Sequence, residues 1–137
     1  MEQLLSKNVA ELKIALEVLP CSHTSPVYPF AGYVVNLNVS TRAHRDLQDK
    51  DICLIIVISD DDCVGGELCL VELGLVLALR NGDAIVFAST KITHFNAHFK
   101  GRRVSLVFQT DKHLNSWVED RGGWKQIITV TTISGKT

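Results

Sequence analysis

The stretch TRAHRD, residues 41–46, sets His44 and Asp46 two positions apart. In an extended chain positions i and i+2 share a face, so the imidazole and the carboxylate can reach one common point. His94 follows in ITHFN, and Arg103 opens the run RVSLVF nine residues later. Two imidazoles and one carboxylate on one face of an ion are the donor set of non-haem Fe(II), which leaves three positions for a chelating co-substrate and dioxygen. A sulfur ligand would instead favour zinc or an iron–sulfur site. An arginine at the far end of such a pocket can grip a carboxylate through its bidentate fork.

Those residues need a scaffold, and the rest of the chain reads mainly as β. Residues 3–18 carry Leu4, Leu5, Val9, Leu12 and Leu16 at helical spacing, and Pro20 stops the helix. Short β-branched runs follow at 33–39, 52–59, 67–73, 75–80, 84–89 and 103–110, with a short piece at ITHFN and a last run at 126–133. GG at 65–66 and NGD at 81–83 mark turns, and DDD at 60–62 reads as a hairpin turn rather than a calcium loop. DKHLNSWVED (111–120) reads as a helix capped by Asp111. One leading helix and about eight short strands predict a double-stranded β-helix, a two-sheet jelly roll. The whole chain, 1–137, reads as a single domain, with the helix in 1–20 and the jelly-roll core over about 33–133.

Composition narrows the class of function. A 46% hydrophobic, 21% charged chain of 137 residues can bury a core, and a net charge of −1 advertises no overall field for a polyanion. Any contact with DNA must come from a local strip, for which KGRR (100–103) with Arg42 and Arg45 is the candidate. ICLIIVI is far too short to span a bilayer, so the expectation is a soluble protein. Four cysteines without a C-x-x-C, two of them in apolar runs, and no secretory leader favour a reducing intracellular compartment.

With these residues in order, the chain resembles the Fe(II)- and 2-oxoglutarate-dependent dioxygenases over about residues 33–112. The pattern is H-x-D at 44–46, a distal His at 94 and an Arg at 103, supported by GGEL (65–68) and LRNGDAIVF (79–87). Within that superfamily HRDLQDKDICLIIV and RVSLVFQTDKHLN are similar to the TET/JBP group, which oxidises the methyl group of modified bases. The resemblance implies that His44, Asp46 and His94 carry iron, and that Arg103 and Ser105 hold the distal carboxylate of 2-oxoglutarate. Arg103 and Ser105 lie two apart on one strand, so both can face one pocket. Asn36 and Asn38 share the alternation of the first core strand, and Asn38 is the candidate to line the co-substrate pocket. Contacts to the substrate are implied at Asp49, where the TET group has Asn, and at Gln109 and Asp111, where it has an aromatic residue and a His.

The implied function is oxidation of 5-methylcytosine in DNA, with Fe(II), 2-oxoglutarate and dioxygen, in a nuclear setting and with no membrane and no obligate protein partner. The alternatives are a hydroxylase or demethylase of a protein side chain, another modified base or a small molecule, and a non-catalytic jelly-roll module. The module has no need of a complete H-x-D, His and Arg set. His98 competes with His94 and is disfavoured by its spacing to Arg103. His23 and His113 read as loop and helix-start residues, Arg102 as pointing away from Arg103, and Glu67 and Glu72 as strand-edge charges.

Overall fold

The structure, a computed structural model, describes residues 2–20 and 22–120. It is a mostly β, jelly-roll-like fold with a leading helix. Helix α1 spans Glu2–Glu17 and a short 3-10 turn Ser22–Thr24 follows it. The strands are β1 Gly32–Leu37, β2 Cys53–Ser59, β3 Val64–Gly65, β4 Leu68–Leu70, β5 Leu75–Leu77, β6 Ala84–Phe87, β7 His94–Asn96, β8 Phe99–Lys100 and β9 Arg103–Gln109, before helix α2 at Leu114–Glu119.

All strand pairings among the described residues are antiparallel. The larger sheet has the order β1-β9-β2-β6, the smaller β5-β4-β7, and β3 pairs with β8 as a two-residue ribbon. In the large sheet Val34 lies opposite Val107 and Asn36 opposite Ser105, while Ile55 is opposite both Val107 and Ile85. Those residues therefore share the face turned to the small sheet. Between the sheets Cys53, Ile55, Val57, Leu68, Leu70 and Phe87 form one core.

The other face of β9 and β2 meets a second core. Leu12 of α1 is buried with Phe30 and Ile52, and Leu54 and Phe108 pack against them. Phe108 lies 6.4 Å from both Phe30 and Tyr33, ring centre to ring centre. The central strands thus read as nearly continuous apolar runs because both of their faces are covered.

The predicted run 67–73 is a strand only over Leu68–Leu70, because residues 71–74 turn and Gly74 takes φ +61° to reverse the chain into β5. The run 75–80 stops at Leu77 for want of a further partner strand. The ribbon β3–β8 has no signal in the sequence, since Gly65 is half of what reads as a turn. Residues 60–63 form the expected turn, with Cys63 N donating to Asp60 O at 3.1 Å. Asp111 does not cap α2 directly. His113 occupies the N-cap, and Asp111 Oδ1 accepts from the His113 backbone N–H one step earlier. The predicted strand 126–133 lies outside the described residues. Among the described residues no helix is long and apolar enough to cross a membrane.

Leu12 is 1% exposed and joins α1 to the large sheet. Truncating it to Ala removes contacts that cannot re-form, so Leu12→Ala is expected to lower the unfolding free energy by about 2–5 kcal/mol in urea melts. A loss below about 1 kcal/mol would mean that the helix is not part of the cooperative core.

Candidate metal centre

The residues that could hold an ion are brought together by one backbone pair. His44 N donates to His94 O at 3.1 Å and His94 N donates to His44 O at 2.9 Å, an isolated antiparallel bridge. Directly opposed residues put their side chains on the same face, and the two imidazole centres lie 4.4 Å apart. His94 is the first residue of β7, whereas His44 belongs to a segment with no strand of its own. Asp46 joins them by alternation, and its backbone N–H donates to Ser89 O at 3.1 Å.

One Asp46 oxygen is 3.5 Å from His44 Nε2 and the other 3.3 Å from His94 Nε2. One donor atom from each of these residues falls in a group spanning no more than 4.8 Å. The far side of each ring is tied down: His44 Nδ1 is 2.6 Å from Arg42 O, and His94 Nδ1 3.0 Å from Ile92 O. A carbonyl only accepts, so both Nδ1 atoms carry the hydrogen and both Nε2 atoms present a lone pair in the neutral ring. Two nitrogen lone pairs and a carboxylate then converge, and the arrangement is stable only with positive charge among them.

A proton is one such charge. The hydrogen bond from His94 holds the Asp46 carboxyl below its usual value against the opposing effect of burial, with the charges of His94 and His44 adding to it. For His94, burial acts downward, but the Asp46 carboxylate and the Ile92 carbonyl together with nearby Asp49 bring the net shift upward. A divalent ion is the other charge. Two N donors, one O donor and pre-oriented rings fit a non-haem iron, with the backbone carbonyls as the outer partners that fix ring orientation.

A cavity of about 160 Å³ opens beside these three residues, lined also by Asn36, Arg103, Ser105 and Gln109. The last three, with Val107, are the inward-facing alternate residues of β9. Arg103 is 6% exposed, and its backbone is fixed by Asn38, whose Oδ1 accepts from Arg103 N at 2.8 Å. Gly66, at φ +77°, lets the main chain pass the guanidinium: a Cβ there would lie 2.9 Å from Arg103 Nε. The guanidinium carbon sits 5.8 Å from the Phe99 ring centre, and among the described residues no carboxylate pairs with it. Burial draws its pKa down while the charges of Cys63 and Glu67 act the other way, yet an arginine stays charged, and its planar fork suits a carboxylate. A second cavity, about 550 Å³ and lined by Asp60, Cys63, Glu67 and Arg80 among others, shares Arg103 and Leu79 with the first.

Of the residues singled out in the sequence, His44, Asp46, His94, Arg103, Ser105 and Gln109 meet at the first cavity. Asn38 does not line it. Its side chain is used on the Arg103 backbone, and Asn36, opposite Ser105, takes the wall position. Asp49 is also off the cavity, 7% exposed, with Oδ2 accepting from Ser89 Oγ at 2.9 Å. Asp111 is exposed and bonded to His113. His98 is not in the cluster. The expected basic strip is partly neutralised, because Arg45 pairs with Glu72 and Arg102 with Asp60. Sequence reasoning missed Asn96, whose Oδ1 accepts from both Thr41 N (2.8 Å) and Thr41 Oγ1 (2.7 Å), and whose Nδ2 donates to Val39 O. An Asn two residues after the distal His, on the same strand face, was the available signal.

No protein-family model matches the chain, and no curated protein matches it. Among solved structures the chain is similar to a Naegleria TET1 in complex with 5mC DNA, with a TM-score of 0.62 and 18% identity. The likeness covers 73% of this chain but 41% of that one, so the chain spans well under half of its neighbour's length, and what is shared is the fold.

Burial pushes the Asp49 carboxyl up to about 6, with the charges of Asp46 and Asp111 adding to the rise and the Ser89 hydroxyl opposing it. The folded chain therefore keeps the Asp49 proton to higher pH than the unfolded chain, whose carboxyl titrates near 3.8. Its contribution to stability is full below about pH 4 and is lost as pH rises through about 6. Asp49→Asn is expected to stabilise the fold by about 1–3 kcal/mol at pH 7.5 and to add little at pH 4, read by urea melts at both values. Equal effects at the two pH values would remove Asp49 as the source.

Proposed function

We propose that this chain is an Fe(II)- and 2-oxoglutarate-dependent dioxygenase that oxidises the methyl group of 5-methylcytosine in DNA. The observation that carries the reading is the convergence of His44 Nε2, His94 Nε2 and the Asp46 carboxylate, with both Nδ1 atoms committed to carbonyls. The similarity of fold to a TET1 bound to 5mC DNA supports the substrate.

His44, Asp46 and His94 would hold the iron. Bound there, iron would supply the oxidation of a C–H bond by dioxygen, one oxygen atom going to the substrate and the other to succinate as 2-oxoglutarate loses CO2. Arg103 is the anchor for the distal carboxylate, gripping it with its two-pronged fork, and Ser105 donates a hydrogen bond to the same group. Val34, Ile55, Leu68 and Val107 supply the apolar part of the cavity wall around these polar groups. A cytosine in a duplex must be turned out of the stack to reach the cavity, and Gln109 is the lining residue placed to meet it. The DNA reading carries a nuclear location with it.

One observation favours a second substrate class. Among the described residues no Phe, Tyr or Trp lines the cavity, and stacking of a base on an aromatic ring is worth about 1–3 kcal/mol. A hydroxylase of a protein side chain, another modified base or a small molecule needs no such ring.

Anaerobic addition of Fe(II) and 2-oxoglutarate is expected to give a visible charge-transfer band that Asp46→Ala abolishes. Arg103→Lys is expected to keep the band but to raise the KM for 2-oxoglutarate at least tenfold, since one ammonium cannot reproduce a two-pronged grip (about 1.5–3 kcal/mol per charged hydrogen bond). Nucleoside mass spectrometry after incubation with methylated DNA then tests the substrate. Succinate release without oxidised cytosine moves the assignment to the second class, and absence of both the band and succinate refutes the dioxygenase.

A further inference from the structure

The back of the His44–His94 bridge has its own set of contacts, and they converge on Glu72. One step outward from an antiparallel bridge at 44 and 94, residues 45 and 93 oppose each other, facing away from the imidazoles. Glu72 lies in the turn between β4 and β5 and reaches both. Its Oε1 accepts from an Arg45 Nη at 2.5 Å and from Thr93 Oγ1 at 2.7 Å, and its Oε2 accepts from the Thr93 backbone N–H at 2.6 Å. Arg45 Nε donates to Thr93 Oγ1 at 3.0 Å and closes the ring. Val71 N donates to Thr93 O at 2.9 Å, so the same turn engages both backbone groups of Thr93.

An isolated exposed ion pair stabilises little. This carboxylate differs because donors from two separate segments share it and one of them is a backbone N–H. Each segment also carries metal-site donors immediately beside its Glu72 contact: Arg45 sits between His44 and Asp46, and Thr93 precedes His94. The bridge itself is a single residue pair, and beyond it the 39–46 segment is held to β7 chiefly by the Asn96 side chain. Glu72 secures the end of that segment which Asn96 does not reach.

We propose that Glu72 is a positioning residue for the metal centre: it clamps the Arg45 and Thr93 backs of the two donor-bearing segments and so fixes the separations of His44, Asp46 and His94. The inference rests on the metal reading above and uses none of the groups that would touch the ion.

Co(II) serves as the probe, titrated into the full chain by its visible absorption. Glu72→Ala is expected to weaken Co(II) affinity about tenfold or more, the scale of lost outer contacts at metal sites, and to change the absorption envelope of bound Co(II). Glu72→Gln, which keeps the acceptor oxygen, is expected to fall between. Arg45→Ala with Glu72→Ala should lose no more than Glu72→Ala alone, because the two act as one unit. Arg102→Ala, which breaks the exposed pair with Asp60, should leave affinity at the wild-type value. In the metal-free chain, Glu72→Ala is expected to raise hydrogen exchange at the His44 and His94 amides about tenfold while β2 amides stay protected. Wild-type affinity, spectrum and exchange in Glu72→Ala would overturn the clamp. If the wild-type chain takes up no Co(II), the metal reading falls by that result, and the metal-free exchange still decides whether Glu72 holds the two segments.

Discussion

The arrangement of His44, Asp46 and His94 depends on two hydrogen bonds. The reciprocal pair between the His44 and His94 main chains joins a segment that has no strand of its own to the first residue of β7. Without that pair His94 would still be held in the small sheet, opposite Leu70 of β4, but His44 and Asp46 would have no fixed relation to it. A one-residue bridge is weak by itself, which explains why so many side chains are devoted to its surroundings. Arg42 and Ile92 carbonyls orient the rings, Asn96 ties down the approach, and Ser89 accepts from Asp46 N.

Strand β9 performs the opposite task, since it is over-determined rather than weakly held. It lies between β1 and β2, its inward residues line the cavity and its outward Phe108 joins the core under α1. Arg103 and Ser105 are thus mounted on a strand paired on both edges, while His44 and Asp46 belong to a segment with no strand of its own. The cavity therefore has one wall on a central strand and the other on a segment held by a single bridge and side-chain contacts.

Much of this was legible in the residue order. Alternation places Arg103, Ser105 and Gln109 on one face, and the structure puts them along one cavity wall. The i, i+2 spacing of His44 and Asp46 has its expected result because the segment is extended where it crosses β7. The departures have separate causes. Asn38 follows the last residue of β1, where φ turns to +51°, so alternation no longer tells where its side chain points. Asp49 lies beyond a turn closed by its N–H on Asp46 O, and the turn carries it to Ser89 instead of the cavity. Glu72 reads as an edge charge because its partners, Arg45 and Thr93, are distant in sequence and meet only through the bridge. Local rules fail where a contact is made by topology alone.

The three donors differ in exposure, with side chains 6% exposed at His94, 27% at Asp46 and 41% at His44. The two outer ones belong to the same short segment. An ion held by this trio would not lose its ligands one at a time from three independent walls. Lifting residues 39–46 removes two donors together and leaves one imidazole, which cannot retain the ion alone. Residence time of such an ion would therefore be governed by a local opening rather than by global unfolding. A chain whose cores remain intact could still exchange an ion bound there quickly, and its thermal midpoint would give no warning of it.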